Sequence, residues 1–142
     1  APDSAGHGSG WLGSSYLKAV RSVDADLGKI LETIDGDARA AKRAAILLTA
    51  DHGGPEGEKS PSDEKLYADY RIPFIAWGRD IAPGEDLYQL NAGRQDPKTS
   101  RPGYDGAQPI RNVDLANTAL AILRLPSIPG AISSEWPLVG LK

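Results

Sequence analysis

The sequence predicts an α/β fold, a parallel-type sheet flanked by helices, and three observations lead there. Two short continuous apolar runs, at 45–50 and 72–78, read as strands buried on both faces. A long stretch at 14–35 carries one apolar stripe at helical spacing. The polar tetrad Asp51-His52-Gly53-Gly54 follows the first strand directly, where α/β proteins set their sites.

Each element has its own justification. Residues 1–13 are rich in glycine (Gly6, Gly8, Gly10 and Gly13), which predicts a tightly turning backbone. Helix 14–35 presents Leu17, Val20, Val23, Leu27, Ile30, Leu31 and Ile34; Ser14 or Ser15 can cap its start, and Gly36 sits where it stops. Gly28 inside this helix suggests a close packing contact. Residues 37–43 read as a solvated, Ala-rich connection, and 55–71 as a polar loop. Pro73 is tolerated near the start of the second strand. The segment 79–109, broken by four prolines and by glycines, as at Pro83-Gly84 and Pro102-Gly103, reads as a long functional loop. A second helix at 113–124 offers Val113, Leu115, Ala116, Leu120, Ile122 and Leu123, with Asn112 as its cap; Pro126 and Pro129-Gly130 end it and a loose tail follows. No linker or repeat divides residues 1–142, which read as a single domain.

Composition narrows the function classes. The 142 residues are 40% hydrophobic and 25% charged, the profile of a globular protein. A net charge of −3 argues against a nucleic-acid partner. No apolar run approaches the roughly 20 residues of a membrane span, so no membrane partner is expected. Cysteine is absent, which excludes disulfides, thiolate ligands and thiol nucleophiles, and suits an extracytoplasmic protein.

Both histidines stand beside aspartates. Asp3 and His7 are four residues apart, and Asp51 and His52 are adjacent at a strand end. Carboxylate oxygen and imidazole nitrogen are the ligands zinc accepts when thiolates are missing. The bland alternatives are a turn-capping Asp51 and a satisfied loop histidine at His52, but a loop tip has no packing need for Asp-His-Gly-Gly. Trp11, Tyr16, Phe74 and Trp77 read as core or core-edge aromatics, and Lys42-Arg43 as a solvated face. Arg94, Arg101 and Arg111 either reach an anionic substrate from the long loop or are solvated.

Asp3-Ser4-Ala5-Gly6-His7, the helix containing Val23-Asp24-Ala25-Asp26-Leu27-Gly28, then Leu47-Leu48-Thr49-Ala50-Asp51-His52-Gly53-Gly54 resemble, in order, the alkaline phosphatase superfamily. Arg71-Ile72-Pro73-Phe74-Ile75-Ala76-Trp77-Gly78, Ile110 to Leu120, and Leu125-Pro126-Ser127-Ile128-Pro129-Gly130 continue the likeness over most of 1–130. The resemblance is greatest to the type I phosphodiesterase/nucleotide pyrophosphatase, sulfatase-like branch. It implies metal-dependent hydrolysis of small-molecule phosphate esters with two divalent ions, most readily zinc, bracketing the transferring group. It also implies that Asp3 and His7 bind the water-side ion, and Asp51 and His52 the nucleophile-side ion.

The chain departs from the family pattern in two respects. The family's upstream Asp ligand and Thr or Ser nucleophile precede the Asp-x-x-x-His motif, so no catalytic nucleophile is assigned in this chain. The family's third histidine has no counterpart, since the chain has two; Asp63 is a candidate oxygen ligand in its place. The chain is therefore expected to match the C-terminal part of such a catalytic domain, partnered by an N-terminal half or a second copy. The competing expectation is a non-catalytic scaffold that acts as a binding module.

Overall fold

The computed structural model describes residues 1–61, 63 and 65–131. The chain divides into two compact units, Ala1–Lys42 with Asp51–Ile72, and Arg43–Ala50 with Pro73–Lys142. The tail expected after Gly130 lies almost wholly outside the described residues.

The first unit is helical. Helix α1 (Pro2–Ser9) occupies the segment expected to turn. Pro2 suits a first helical turn because its missing N–H has no partner there in any case, and Asp3 meets the positive end of the helix dipole. Two interior glycines oppose the helix by roughly 1 kcal/mol each. Packing overrides that propensity, because Gly6 is buried against the Trp11 indole. Helix α2 (Ser14–Asp35) has the expected bounds, with Gly13 rather than a serine at its cap position. None of its residues is buried: Val23 is 45% and Ile30 52% exposed. Its packed neighbours are α1, of eight residues, and α3 (Ala38–Ala41), of four, which are too short to cover 22 residues. Nothing approaches the Cβ position of Gly28, so the expected close contact there is absent among the described residues. Helix α3 arises within the expected connection because the Asp37 carboxylate accepts from the Arg39 and Ala40 N–H groups. A short 3-10 turn, Tyr67–Asp69, closes the polar segment.

The second unit holds the sheet. Strands β1 (Ala45–Thr49) and β2 (Phe74–Gly78) pair with Ala45 opposite Gly78 and Thr49 opposite Phe74. The α/β class stands, but this pair is antiparallel, which corrects the expected parallel type. A continuous apolar run reports burial and carries no information on strand direction. The β2 residues in fact alternate between half-buried and exposed, the pattern of a strand covered on one face.

Helix α4 (Leu87–Leu90) interrupts the long loop, capped by the Asp86 carboxylate. Helix α5 (Asp114–Ile122) packs on β1, with Val113 rather than Asn112 at its cap position. Its buried residues are polar, Asp114, Asn117 and Thr118, while Val113 and Leu123 are exposed. These three side chains are hydrogen-bonded. Asp114 accepts from Arg94 Nη2 at 2.9 Å and from the Arg111 N–H at 2.7 Å. Thr118 Oγ1 donates to the Asp114 carbonyl, and Asn117 Oδ1 accepts from the Ile128 N–H. Arg94 also donates to the Pro109 carbonyl, so its guanidinium is a structural clamp rather than a free anion contact. Arg111 donates to Gln108 and lies 5.0 Å over the Tyr104 ring. Among the described residues no helix is long and apolar enough to cross a membrane.

Candidate metal centre

Asp3, His7 and His52 converge in the first unit, with one ligand atom of each within 4.8 Å of the others. Helix α1 sets the first two: residues four apart share a helix face, and His7 Nε2 lies 3.4 Å from Asp3 Oδ1. His52 comes from the turn two residues beyond Ala50, and its Nε2 lies 3.6 Å from the same Asp3 oxygen.

The outer contacts of both rings orient them alike. His7 Nδ1 is 2.8 Å from the Lys59 carbonyl oxygen and His52 Nδ1 is 2.8 Å from the Gly53 carbonyl oxygen. A carbonyl only accepts, so in the neutral ring each Nδ1 carries the proton and each Nε2 keeps its lone pair. Metal-binding histidines are commonly held this way, by a hydrogen bond from the nitrogen that does not bind. Two imidazole nitrogens and one carboxylate oxygen form a donor set suited to zinc, and also to other divalent transition metals.

The backbone around His52 is anchored. The Gly53 N–H donates to the Asp69 carbonyl at 2.7 Å. A Cβ at Gly53 would collide with the Ala68 carbonyl, and one at Gly54 with the Trp11 indole. Trp11 is 3% exposed, so the expected core aromatic is confirmed, whereas Trp77 is 37% exposed. The Asp69 carboxylate is also buried, and neither of its oxygens has a hydrogen-bond partner among the described residues.

The four expected ligands are therefore distributed differently from two separate pairs. Three form one cluster; Asp51 lies beside it, with Oδ2 3.8 Å from His52 Nε2. Its Oδ1 accepts from the His52 N–H at 3.1 Å, so part of the carboxylate is turned onto its own backbone. Asp63 is outside the cluster and accepts from the Lys65 N–H. The Lys59 and Gly53 carbonyls had no sequence signal, because any residue supplies a backbone carbonyl. Trp11 was legible as a core residue but not as a neighbour of both histidines.

A family model described as Sulfatase matches residues 12–125. The chain is 32% identical over 84 residues to a 2,3-bisphosphoglycerate-independent phosphoglycerate mutase of Shewanella frigidimarina (strain NCIMB 400), covering 55% of this chain and 14% of the relative. It is 38% identical over 76 residues to the protein of the same name from Moorella thermoacetica (strain ATCC 39073 / JCM 9320), covering 52% of this chain and 14% of the relative. These matches thus span about a seventh of the relatives' length. No solved structure matches the chain.

Proposed function

The chain belongs to the sulfatase family, within the alkaline phosphatase superfamily, and from that membership we propose that Asp3, His7 and His52 hold a divalent metal ion used in phosphate-ester chemistry. The observation that carries this reading is the approach of two imidazole Nε2 atoms, their Nδ1 atoms bonded to carbonyls, to one carboxylate oxygen. His7 and His52 would offer Nε2 as nitrogen donors, and the Asp3 carboxylate would offset part of the ion's charge. A set of three protein ligands leaves coordination open to a substrate oxygen. When bound, the ion supplies stabilisation of the negative charge that collects on the oxygens of a transferring phosphoryl group.

Zinc and manganese both suit this donor set. The second ion implied by the superfamily resemblance would use Asp51 together with ligands outside the three-residue cluster. The phosphodiesterase type expected from sequence is one form of the reaction. The names of the relatives favour another, transfer of a phosphoryl group between positions of a small phosphate ester.

The test is calorimetric titration of metal-free protein with zinc chloride and with manganese chloride. At least one ion is expected to bind, with Asp3→Asn and His52→Ala each weakening it by about 10-fold or more. Binding that is unchanged in both variants, or absent from the wild type, refutes the reading. Metal-loaded protein is then assayed on phosphate monoesters, diesters and phosphoglycerate to separate the two reaction types.

A further inference from the structure

We propose that Trp11 is a positioning residue for this centre, its indole holding the two imidazoles so that both Nε2 atoms face one point. The proposal rests on the metal-binding reading above and adds to it a residue that offers no ligand atom.

The indole meets both rings edge to face. The Trp11 and His7 centroids are 4.9 Å apart with the planes at 79°, and the Trp11 and His52 centroids 6.2 Å apart at 63°. The histidine rings themselves are 6.4 Å apart. A hydrogen bond at Nδ1 fixes one point on each imidazole but leaves the ring free to swing about it. An aromatic edge against the ring opposes that swing, because such pairs have a preferred geometry.

The position of the indole is itself tightly determined. The Trp11 N–H donates to the Glu58 carbonyl at 3.0 Å, and the Gly57 N–H donates to the Trp11 carbonyl at 2.9 Å. These bonds anchor the segment that ends at Lys59, whose carbonyl orients His7. Gly6 on α1 and Gly54 beside His52 leave the space the indole fills: a Cβ at Gly6 would stand 2.6 Å from Trp11 Cε2. One side chain thus touches both ligand-bearing segments, and its backbone holds the segment that orients one of the ligands.

The experiment compares Trp11→Phe, which keeps an aromatic edge, with Trp11→Leu, which keeps apolar bulk and loses it. Imidazole nitrogen NMR of the metal-free proteins reads the tautomers of His7 and His52, and titration with zinc chloride reads affinity. In the wild type and Trp11→Phe, both rings should stay in the Nδ1–H form. Trp11→Leu should show mixed tautomers and zinc affinity weaker by about 10- to 100-fold, the usual effect of losing an outer-shell contact. Gly6→Ala, which displaces the indole without touching a ligand, should move both readouts the same way and decides the matter if Trp11→Leu does not fold. Wild-type tautomers and affinity in Trp11→Leu, or in Gly6→Ala where that variant decides, overturn the proposal. A wild type that binds neither zinc nor manganese refutes the metal reading instead, and the tautomers of the metal-free proteins still test the role of Trp11.

Discussion

Removing the Asp114 carboxylate should be among the most damaging single changes in the second unit. Asp114 is 2% exposed and Arg94 12% exposed by side chain, and their charged atoms are 2.9 Å apart. Asp114→Ala deletes two interactions at once. It leaves a nearly buried guanidinium without its counter-charge and takes the acceptor from the Arg111 N–H. Breaking a buried ion pair from one side costs about 3–5 kcal/mol, because the surviving charge keeps its desolvation penalty without its partner. That is a large share of the 5–15 kcal/mol typical of a folded domain. Asp114→Asn retains an acceptor oxygen and nearly the same shape, so its loss should be smaller than that of Asp114→Ala. Arg94→Met should also destabilise, and the double variant Asp114→Ala/Arg94→Met should lose less than the sum of the singles, since no charge is then stranded. Urea unfolding followed by circular dichroism measures all four variants. A loss under about 1 kcal/mol for Asp114→Ala, or strict additivity in the double variant, would refute the reasoning that a desolvated pair ties the long loop to α5.

Two further predictions concern each unit separately. Gly28→Ala should stabilise α2 by about 0.5–1 kcal/mol, because the helix interior favours alanine and the added Cβ meets no neighbour; a lower thermal midpoint would contradict this. Burial raises the Tyr88 phenol above its ordinary value of 10.0, while its oxygen accepts from the Ile110 N–H. A native value above the unfolded one means the folded state holds the proton more tightly. The associated stability is therefore full below the ordinary value and is lost as pH rises through the raised native one. An ultraviolet titration should show one of the five tyrosines ionising after the rest, and Tyr88→Phe should abolish the late step; simultaneous ionisation of all five would sink the idea.

What the sequence revealed was whatever a single periodicity or spacing encodes. Helix α2 was legible because its apolar stripe repeats at helical spacing over its full length. Both strands were legible as apolar runs, but their direction was not, because pairing is set by contacts between segments far apart in the chain. Helix α1 was obscured by its two glycines, which lower helix propensity; of these, Gly6 is required by the indole packed against it. The inward face of α5 was misjudged because hydrophobicity ranks Asp114, Asn117 and Thr118 as surface residues. Their burial depends on partners contributed by 94, 111 and 128.

The grouping of the candidate ligands follows the same division. Four residues along a helix return a side chain to the same face, so the spacing of Asp3 and His7 carried their proximity directly. Adjacent residues in an irregular turn carry no such guarantee. One oxygen of the Asp51 carboxylate bends back to its neighbour's N–H, while the imidazole of that neighbour reaches the α1 carboxylate as well as the other Asp51 oxygen. Adjacency in sequence pairs Asp51 with His52, and the fold keeps them within 3.8 Å while also bringing His52 within 3.6 Å of a carboxylate 49 residues earlier. Adjacency singled out the tetrad Asp51-His52-Gly53-Gly54 as a candidate site. The two glycines in that tetrad then explain how the turn can lie so close to Trp11 and the Tyr67–Asp69 backbone, since a methyl group at either would collide. The motif therefore carries both the candidate ligand and the close approach that aims it. Replacing His52 should remove a donor, whereas replacing Gly54 should misdirect one that is still present.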